Sequence, residues 1–281
     1  MIKLGVMQGR LSPPKGNLIQ HFPSKNWINE FKVCQHLGLK SIEWVFENEN
    51  YLENPIFDLE KLNQISDLIK KFDIKVNSVV ADYFMQNKLF DEKKEDIQKN
   101  VDVLKKLIIN CKKIGTKIIE IPLVDSSSIK NKNHINELRE NLKEPLNLIE
   151  KNNMYLSLET DLDPNNFKKL IKEFHPKKVF VNYDMGNSAS LGYNPETEIE
   201  TLKKYIINVH IKDRLFKGST VPLGKGSVNF DVVFKKLKEI NYQGDFILQT
   251  ARLDLPQSEV KEKFEQTIKK NINFIKKYSY E

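Results

Sequence analysis

The chain has 281 residues, of which 40% are hydrophobic and 30% charged, and its formal net charge is +7. This length allows either one large α/β barrel or two ordinary domains. No apolar run is long enough to span a membrane, and the first residues lead directly into the apolar run from Ile2 to Met7 rather than into a signal peptide. We therefore expect a cytoplasmic protein that does not bind a membrane.

The positive charge comes mainly from lysine, which alternates with acidic residues along helical patterns, as in Lys93-Lys94-Glu95. This distribution is typical of a solvated surface, whereas surfaces that bind nucleic acid concentrate basic residues on one face. The sequence therefore argues against nucleic acid as a partner. Cys34 and Cys111 fall on apolar positions of helical patterns, which predicts buried free thiols in a reducing compartment.

Eight short apolar runs predict strands that are covered on both faces. Amphipathic helical patterns separate them, and the pattern over 134–152 contains Pro145, which predicts a bend or a break. Eight alternations without a flexible linker predict an α/β fold, a single (β/α)₈ TIM barrel over residues 1–281. An open doubly wound sheet is the alternative, although no G-x-G-x-x-G follows the first strand. The predicted strands are Lys3–Met7, Ser41–Val45, Lys75–Val80, Lys117–Pro122, Tyr155–Glu159, Val179–Asp184, Ile206–Ile211 and Phe246–Gln249.

Four polar residues end four consecutive predicted strands: Glu159, Asp184, His210 and Gln249. Because parallel strands place their carboxyl ends on one face of a barrel, we expect these side chains to converge. Two carboxylates, an imidazole and an amide oxygen are suitable ligands for a divalent cation such as Mn²⁺, Co²⁺, Zn²⁺ or Mg²⁺. The structural alternative is a buried charge network that closes the top of the barrel. For Gln249, a hydrogen bond to a neighbouring strand is almost as well favoured as metal ligation.

Arginine is rare in this chain, with four residues against 41 lysines, and three of the four follow predicted strands: Arg10, Arg214 and Arg252. The guanidinium group is a fixed, forked donor suited to carboxylate or phosphate. In a closed barrel the loops after strands seven, eight and one are neighbours, and barrels often bind phosphate after strands seven and eight. The arginines therefore predict a site for an anionic substrate group on the face that carries the metal candidates.

Several segments, taken in order, resemble the xylose isomerase-like barrel superfamily, in its sugar phosphate isomerase/epimerase branch. The resemblance covers essentially the whole chain and implies a small sugar or sugar phosphate as substrate. It also implies a metal held by acid, acid, histidine and acid from strands five to eight, which correspond here to Glu159, Asp184, His210 and, in the last place, Gln249. The segments that carry it are Gly5–Ser12, Ile42–Trp44, Ser78–Phe84, Leu158–Thr160, Asp184–Asn187, Val209–Arg214 and Leu223–Phe230.

Gln249 departs from the family pattern, in which sugar epimerases use two metal-bound glutamates on opposite faces of one carbon. An amide cannot act as a base at neutral pH. Either Glu159 alone moves a proton between adjacent carbons, as in aldose–ketose isomerisation, or a base outside the ligand set acts as well. Asp125, Glu120 and Asp213 are candidates for that second base.

A second departure is Asn187, which stands three residues after Asp184, where many relatives have a histidine that contacts substrate. Asn187 can still bind a hydroxyl group, but it does not titrate. Lys212 and Asp213 follow His210 directly. The lysine would steer an oxyanion and the aspartate would orient the imidazole, with a simple ion pair as the alternative.

The sequence thus predicts a divalent-metal-dependent sugar or sugar-phosphate isomerase or epimerase that acts through an enediolate. An inosose dehydratase-like lyase on the same fold is the alternative. An apurinic-site DNA endonuclease is disfavoured, because only one of the five histidines ends a strand. If the protein forms an oligomer, we expect a homodimer. The predicted catalytic residues are Glu159 and Lys212, and the predicted substrate-binding residues are Arg10, Glu43, Asn187, Arg214 and Arg252.

Overall fold

The structure, a computed structural model, describes residues 2–14, 20–174, 178–252 and 260–278. Its strands, in chain order, are β1 (Lys3–Met7), β2 (Ser41–Val45), β3 (Ser78–Val80), β4 (Ile118–Leu123), β5 (Tyr155–Thr160), β6 (Val179–Asp184), β7 (Ile206–Ile211), β8 (Asp213–Arg214), β9 (Thr220–Val221) and β10 (Asp245–Leu248). All except β8 and β9 run parallel and form a closed ring, in which β1 pairs with both β2 and β10. The predicted single (β/α)₈ barrel is confirmed, and each predicted strand is present to within three residues at either end.

Helices connect the strands around the outside of the ring. They are α1 (Trp27–His36), α2 (Leu59–Phe72), α3 (Tyr83–Gln86), α4 (Lys94–Lys113), α5 (Lys132–Asn141), α6 (Lys143–Lys151), α7 (Pro164–Glu173), α8 (Met185–Leu191), α9 (Pro195–Leu202), α10 (Phe230–Glu239) and α11 (Val260–Lys276). Three short 3₁₀ turns cover Tyr51–Glu53, Pro55–Phe57 and Asp125–Ser127. Among the described helices, none combines the length and the hydrophobicity that a membrane span requires.

Local sequence explains where several helices begin. The side chains of Asp58, Asp163 and Asn194 each accept hydrogen bonds from two backbone N–H groups in the first turn of α2, α7 and α9. These bonds satisfy donors that have no partner inside the helix. In α7 and α9 a proline occupies the first turn, where the missing N–H costs nothing.

The predicted break near Pro145 is present, but it lies three residues earlier, at Leu142 between α5 and α6. Pro145 is buried within the first turn of α6. A proline is compatible with a first turn, whereas its ring would clash with the carbonyl of the residue four positions earlier in a continuous helix. That residue is Asn141, and α5 ends there.

The first strand fits tightly between its two neighbours because Gly5 has no side chain. A Cβ atom at this position would lie 2.2 Å from Ser41 Oγ on β2 and 2.8 Å from Ile247 Cδ1 on β10. The ring therefore closes at a point where only glycine leaves enough room.

The interior of the barrel is partly apolar and partly polar. Met7, Val45, Val80 and Ile247 form a small apolar cluster inside the ring. A second group is polar and buried, and its contacts between β7 and the strands β2 and β4, which are not its neighbours, pass through the barrel interior. Cys34 and Cys111 are buried free thiols, as predicted. The buried polar group comprises Glu43, Ser78, Glu120, Asn208 and His210.

Candidate functional site

Three of the predicted metal ligands meet at the carboxyl ends of their strands. Glu159 is next to the last residue of β5, Asp184 ends β6, and His210 lies opposite Asp184 in the register of β6 and β7. One ligand atom from each lies within 4.8 Å of the other two, and all three residues are buried. The strands therefore bring together two carboxylates and an imidazole, as the sequence predicted.

Each carboxylate in this cluster is oriented by neighbouring donors. Asn182 Nδ2 donates to Glu159 Oε2 at 2.8 Å and lies 3.1 Å from His210 Nδ1. Asp184 Oδ1 accepts the backbone N–H groups of Gly186 and Asn187 at 2.9 and 2.8 Å, which caps the start of α8. Its second oxygen, Oδ2, faces His210 Nδ1 at 4.0 Å. One oxygen of Asp184 thus caps the N-terminus of α8, and the other is directed toward the cluster.

Two further carboxylates meet the opposite edge of the imidazole. His210 Nε2 lies 2.7 Å from Glu43 Oε2 and 3.1 Å from Glu120 Oε2. Glu43 Oε1 accepts from Ser78 Oγ at 2.7 Å and from Asn208 Nδ2 at 2.8 Å. Glu43 was expected to contact substrate, but its oxygens are directed to these interior partners and its side chain is fully buried. We therefore place Glu43 behind His210, where it fixes the orientation of the ring.

The approach of Glu43 and Glu120 to His210 was missed by reasoning from the sequence. A signal was present, because both glutamates interrupt otherwise apolar strands, Ser41–Val45 and Ile118–Leu123. A charged residue inside a buried strand requires a partner. The sequence could not identify the partner, because it comes from a distant strand.

The cluster is rich in carboxyl groups, since four of them lie within 4.0 Å of the two imidazole nitrogens, and burial raises the pKa of one of them, Glu120, well above its usual value. Burial lowers the pKa of His210, but the charges of Glu120 and Glu43 raise it well above its usual value. Burial raises the pKa of Glu159, but the hydrogen bond with His210 and the charge of Lys212 outweigh it and lower the pKa to about 2. Glu159 is therefore ionised at neutral pH, and the site as a whole favours a cation.

Lys212 and Arg214 approach this cluster from the end of β7. Lys212 Nζ donates to Asp184 Oδ2 at 2.8 Å and to Asn187 Oδ1 at 3.4 Å. Arg214 Nη1 donates to the same oxygen of Asn187 at 2.8 Å, and Asn187 Nδ2 donates to Glu159 Oε1. Asn187 therefore links both basic residues to Glu159.

Asp213 does not have the role that the sequence suggested. Its carboxylate accepts the backbone N–H groups of Gly224, Gly226 and Val228 at 2.9, 2.8 and 3.2 Å. These bonds hold the loop after the β8–β9 hairpin. Glu43, rather than Asp213, meets His210.

Gln249 follows β10, and its backbone N–H donates to Ile211 O at 3.0 Å. Its side-chain Nε2 donates to Gln20 Oε1 at 3.1 Å, and Gln20 Nε2 in turn donates to Asp82 Oδ2. Gln249 Oε1 is buried and accepts no hydrogen bond from the described residues. An acceptor in that state is available to a cation. The donor set of Glu159, Asp184 and His210 fits a divalent metal ion.

The three arginines at the mouth of the barrel lie at two separate positions rather than in one cluster. Arg10 is buried, and its Nε donates to Thr250 O at 3.0 Å. A Cβ atom at Gly9, the neighbour of Arg10, would lie 2.6 Å from Arg252 Nη2, so Arg252 reaches the turn that carries Arg10. Burial and the charge of Arg252 lower the pKa of Arg10 to about 9. Arg214 donates to Gly218 O from Nε and Nη2, at 3.1 and 2.8 Å, besides its bond to Asn187. Arg10 and Arg252 thus form a pair, while Arg214 lies on the β8–β9 hairpin beside Asn187.

Fold and site together define the class: a closed parallel barrel with a candidate divalent-cation centre at the carboxyl ends of its strands. The model of one protein family, described as xylose isomerase-like TIM barrel, matches residues 31–278. The chain belongs to this family.

The chain is similar to proteins of known sequence and of known structure. L-ribulose-5-phosphate 3-epimerase UlaE from Escherichia coli (strain SMS-3-5 / SECEC) is 23% identical over 233 residues, which are 79% of this chain and 81% of the relative. Among solved structures, D-psicose 3-epimerase from Clostridium cellulolyticum H10, crystallised with D-tagatose, has a TM-score of 0.76 at 14% identity and covers 99% of each chain. The zinc-bound IOLI protein has a TM-score of 0.75 at 19% identity and covers 100% of each chain. At these identities the two structures establish the shared fold.

Proposed function

We propose that this protein is a divalent-metal-dependent epimerase or isomerase of a small sugar or sugar phosphate. The observation that carries the proposal is the convergence of Glu159, Asp184 and His210 within 4.8 Å at the carboxyl ends of β5, β6 and β7. Active sites of TIM barrels lie on this face. The epimerase names of the relative from Escherichia coli and of the structural neighbour support the choice of reaction.

Glu159, Asp184 and His210 would hold the cation, with Gln249 Oε1 as the fourth ligand. Mn²⁺, Co²⁺, Zn²⁺ and Mg²⁺ are the candidate ions. Bound there, the cation would polarise the carbonyl group of an open-chain sugar and so acidify the hydrogen on the adjacent carbon. Glu43 Oε2 lies 2.7 Å from Nε2 on the far side of His210, which would keep Nδ1 directed at the cluster.

Glu159 is the base in this proposal, because its carboxylate is ionised and belongs to the cluster. It removes the proton from the carbon next to the carbonyl group, which gives an enediolate. Lys212, 2.8 Å from Asp184, supplies positive charge for the developing oxyanion. Asn187 bonds to Glu159 and to Arg214 and is positioned to bind a sugar hydroxyl group.

An anionic group on the substrate would bind at the arginines. Arg10 and Arg252 lie together after β1 and β10, and Arg10 Nη1 is buried without an acceptor among the described residues. A phosphate or carboxylate group would supply acceptors for such donors. The relative that acts on L-ribulose 5-phosphate makes phosphate the first choice.

The experiment that tests the proposal is elemental analysis of the purified protein, with Glu159→Ala as the control. We expect close to one Mn, Co or Zn per chain in the wild type, and a loss of that metal in the variant. Absence of bound metal after equilibration with excess Mn²⁺ would contradict the proposal.

A metal-loaded protein would then be assayed with ketoses, aldoses and their phosphates. We expect the protein to invert or isomerise one of these sugars. The rate should fall at least about 100-fold in Glu159→Gln. Release of water from a polyol ketone, without isomerisation of any sugar, would instead assign a dehydratase-like lyase activity.

A further inference from the structure

We propose that Asp82 is the second proton-transfer group of this site and delivers a proton to the substrate carbon on the face opposite Glu159. This inference rests on the proposed function. Inversion of a carbon centre by proton transfer requires an acid and a base on opposite faces. Gln249 is an amide and cannot supply either, so epimerisation at this site requires a second group from elsewhere in the structure.

Asp82 lies on the same face of the barrel as Glu159. Val80, the last residue of β3, pairs with Glu120 on β4, and Pro122 on β4 pairs with Glu159 on β5. Asp82 follows Val80 by two residues, so it lies just beyond the carboxyl end of β3, and Glu159 lies near the carboxyl end of β5. Two strand spacings of about 4.8 Å separate β3 from β5 along the wall of the barrel. A substrate carbon between them would have a carboxylate on either side.

The carboxylate of Asp82 is not used to cap a helix. Asp82 precedes α3, but its side chain accepts no capping hydrogen bond from that helix. It accepts instead from Gln20 Nε2, and Gln20 Oε1 accepts from Gln249 Nε2. A chain of two hydrogen bonds thus connects Asp82 with Gln249, and it fixes the carboxylate at the mouth of the barrel.

The electrostatic environment of Asp82 suits a proton donor. Burial raises its pKa to about 6; the hydrogen bond from Gln20 lowers this pKa, whereas the charge of Glu159 raises it. A carboxyl group whose pKa is raised holds its proton more readily, which a general acid requires.

The sequence suggested three other carboxylates as the second base. Two of them contact other groups, and the third is exposed. Asp213 accepts three backbone N–H groups of the loop that follows β9. Glu120 lies against His210 Nε2 inside the barrel. Asp125 is exposed in the 3₁₀ turn after β4. Asp82 is therefore the carboxylate whose position and partners fit.

The proposed step conserves atoms and electrons. The Glu159 carboxylate takes the proton from carbon, and the electron pair of the broken C–H bond moves into the enediolate. The Asp82 carboxylic acid then gives its proton to the opposite face of the same carbon, and the carbonyl group is restored. Glu159 ends protonated and Asp82 ends ionised, and exchange with water returns both to their starting states.

The test follows solvent deuterium with Mn²⁺-loaded protein in D₂O, using L-ribulose 5-phosphate, D-psicose and D-tagatose as probes. In the wild type we expect inverted product that carries deuterium. In Asp82→Asn, Glu159 can still remove and return a proton on its own face. We therefore expect inversion to fall at least about 100-fold, while deuterium still enters the recovered substrate at a rate within about tenfold of wild type.

Three further variants make the result decisive. Glu159→Gln should lose exchange and inversion together. Asp67→Asn removes one exposed aspartate from α2 and should change neither. Asp125→Asn tests the competing loop carboxylate. Mn²⁺ affinity by calorimetry should be the same in Asp82→Asn as in the wild type.

Inversion at the wild-type rate in Asp82→Asn would overturn the inference, and so would selective loss of inversion in Asp125→Asn. Loss of both exchange and inversion in Asp82→Asn, with or without weaker Mn²⁺ binding, would also overturn it, because Asp82 would then maintain the site rather than supply a proton. Absence of exchange into every probe in the wild type would refute the proposed function, and the role of Asp82 would fall with it.

Discussion

The imidazole of His210 is held from both sides. Glu159 and Asp184 face Nδ1, while Glu43 and Glu120 face Nε2. An imidazole that gives one nitrogen to a metal usually donates its other N–H to a carboxylate, which fixes the tautomer and the angle of the ring. Glu43 makes the shorter contact, 2.7 Å, and Glu120 lies at 3.1 Å.

We expect Glu43→Gln to weaken Mn²⁺ binding by about 10- to 100-fold. The amide keeps the size of the side chain but removes the negative charge that supports His210. Isothermal titration calorimetry measures the affinity, and Glu239→Gln, a change at an exposed position of α10, is the matched control. Equal affinities in the two variants would show that Glu43 does not support the metal site.

A second prediction at this scale concerns the arginine pair. Arg252→Gln should raise the KM for a phosphorylated sugar by about 10- to 100-fold, the expected cost of one charge-assisted hydrogen bond. The KM for the same sugar without phosphate should change much less. Arg139→Gln, on α5, removes an arginine that bonds Glu173 at 3.3 Å and is the matched control. Equal effects on both sugars would assign Arg252 a structural role.

At the scale of the elements, the sequence was sufficient to predict where the barrel strands and the longer helices lie. The barrel strands and the longer helices have local periodicity, so their positions followed from the chain alone, whereas the short helices α3 and α8 were not predicted. The β8–β9 hairpin was missed, because strands of two residues show no periodicity. The pairing of Glu43 with His210 and the link from Asp82 through Gln20 to Gln249 also could not be predicted. These contacts join distant segments and exist only after the ring has closed.

The closure of the ring at Gly5 gives a prediction at the same scale. Gly5→Ala should lower the free energy of unfolding by about 1–3 kcal/mol, the usual cost of overpacking. The new methyl group would lie 2.2 Å from Ser41 Oγ. Urea denaturation measures the loss, and Ser41→Ala in the same chain should restore part of it, because that change removes the nearest atom. A double variant no more stable than Gly5→Ala would mean that this contact is not the source of the strain.

For the whole molecule, buried carboxyl groups outside the site shape the dependence of stability on pH. Glu198 on α9 is buried and accepts from Ser188 Oγ at 2.9 Å. Burial raises its pKa to about 8, although the bond from Ser188 acts in the opposite direction. The folded protein therefore holds this proton more tightly than the unfolded chain. The resulting stability is fully present below about pH 4.5 and is lost as the pH rises toward 8.

We expect Glu198→Gln to flatten the pH profile of stability. Between pH 5 and 8.5 the wild type should lose on the order of 4 kcal/mol more than the variant does. Urea denaturation with EDTA present measures the difference without a contribution from metal. Other buried acids with raised pKa values, such as Glu30, contribute equally to both proteins and cancel in the comparison. Parallel profiles would show that Glu198 is ionised in the folded state.

The amide at position 249 also changes the overall electrostatic character of a loaded centre. A divalent ion bound by three carboxylates and a neutral imidazole leaves one uncompensated negative charge. With Gln249 in place of the third carboxylate, Glu159 and Asp184 balance the ion, and the complex is neutral. A neutral complex holds its ion less firmly, but it does not repel a phosphate group that enters beside it. With Gln249 as the fourth ligand, as we propose, the same side chain would weaken metal retention and lower the barrier to an anionic sugar.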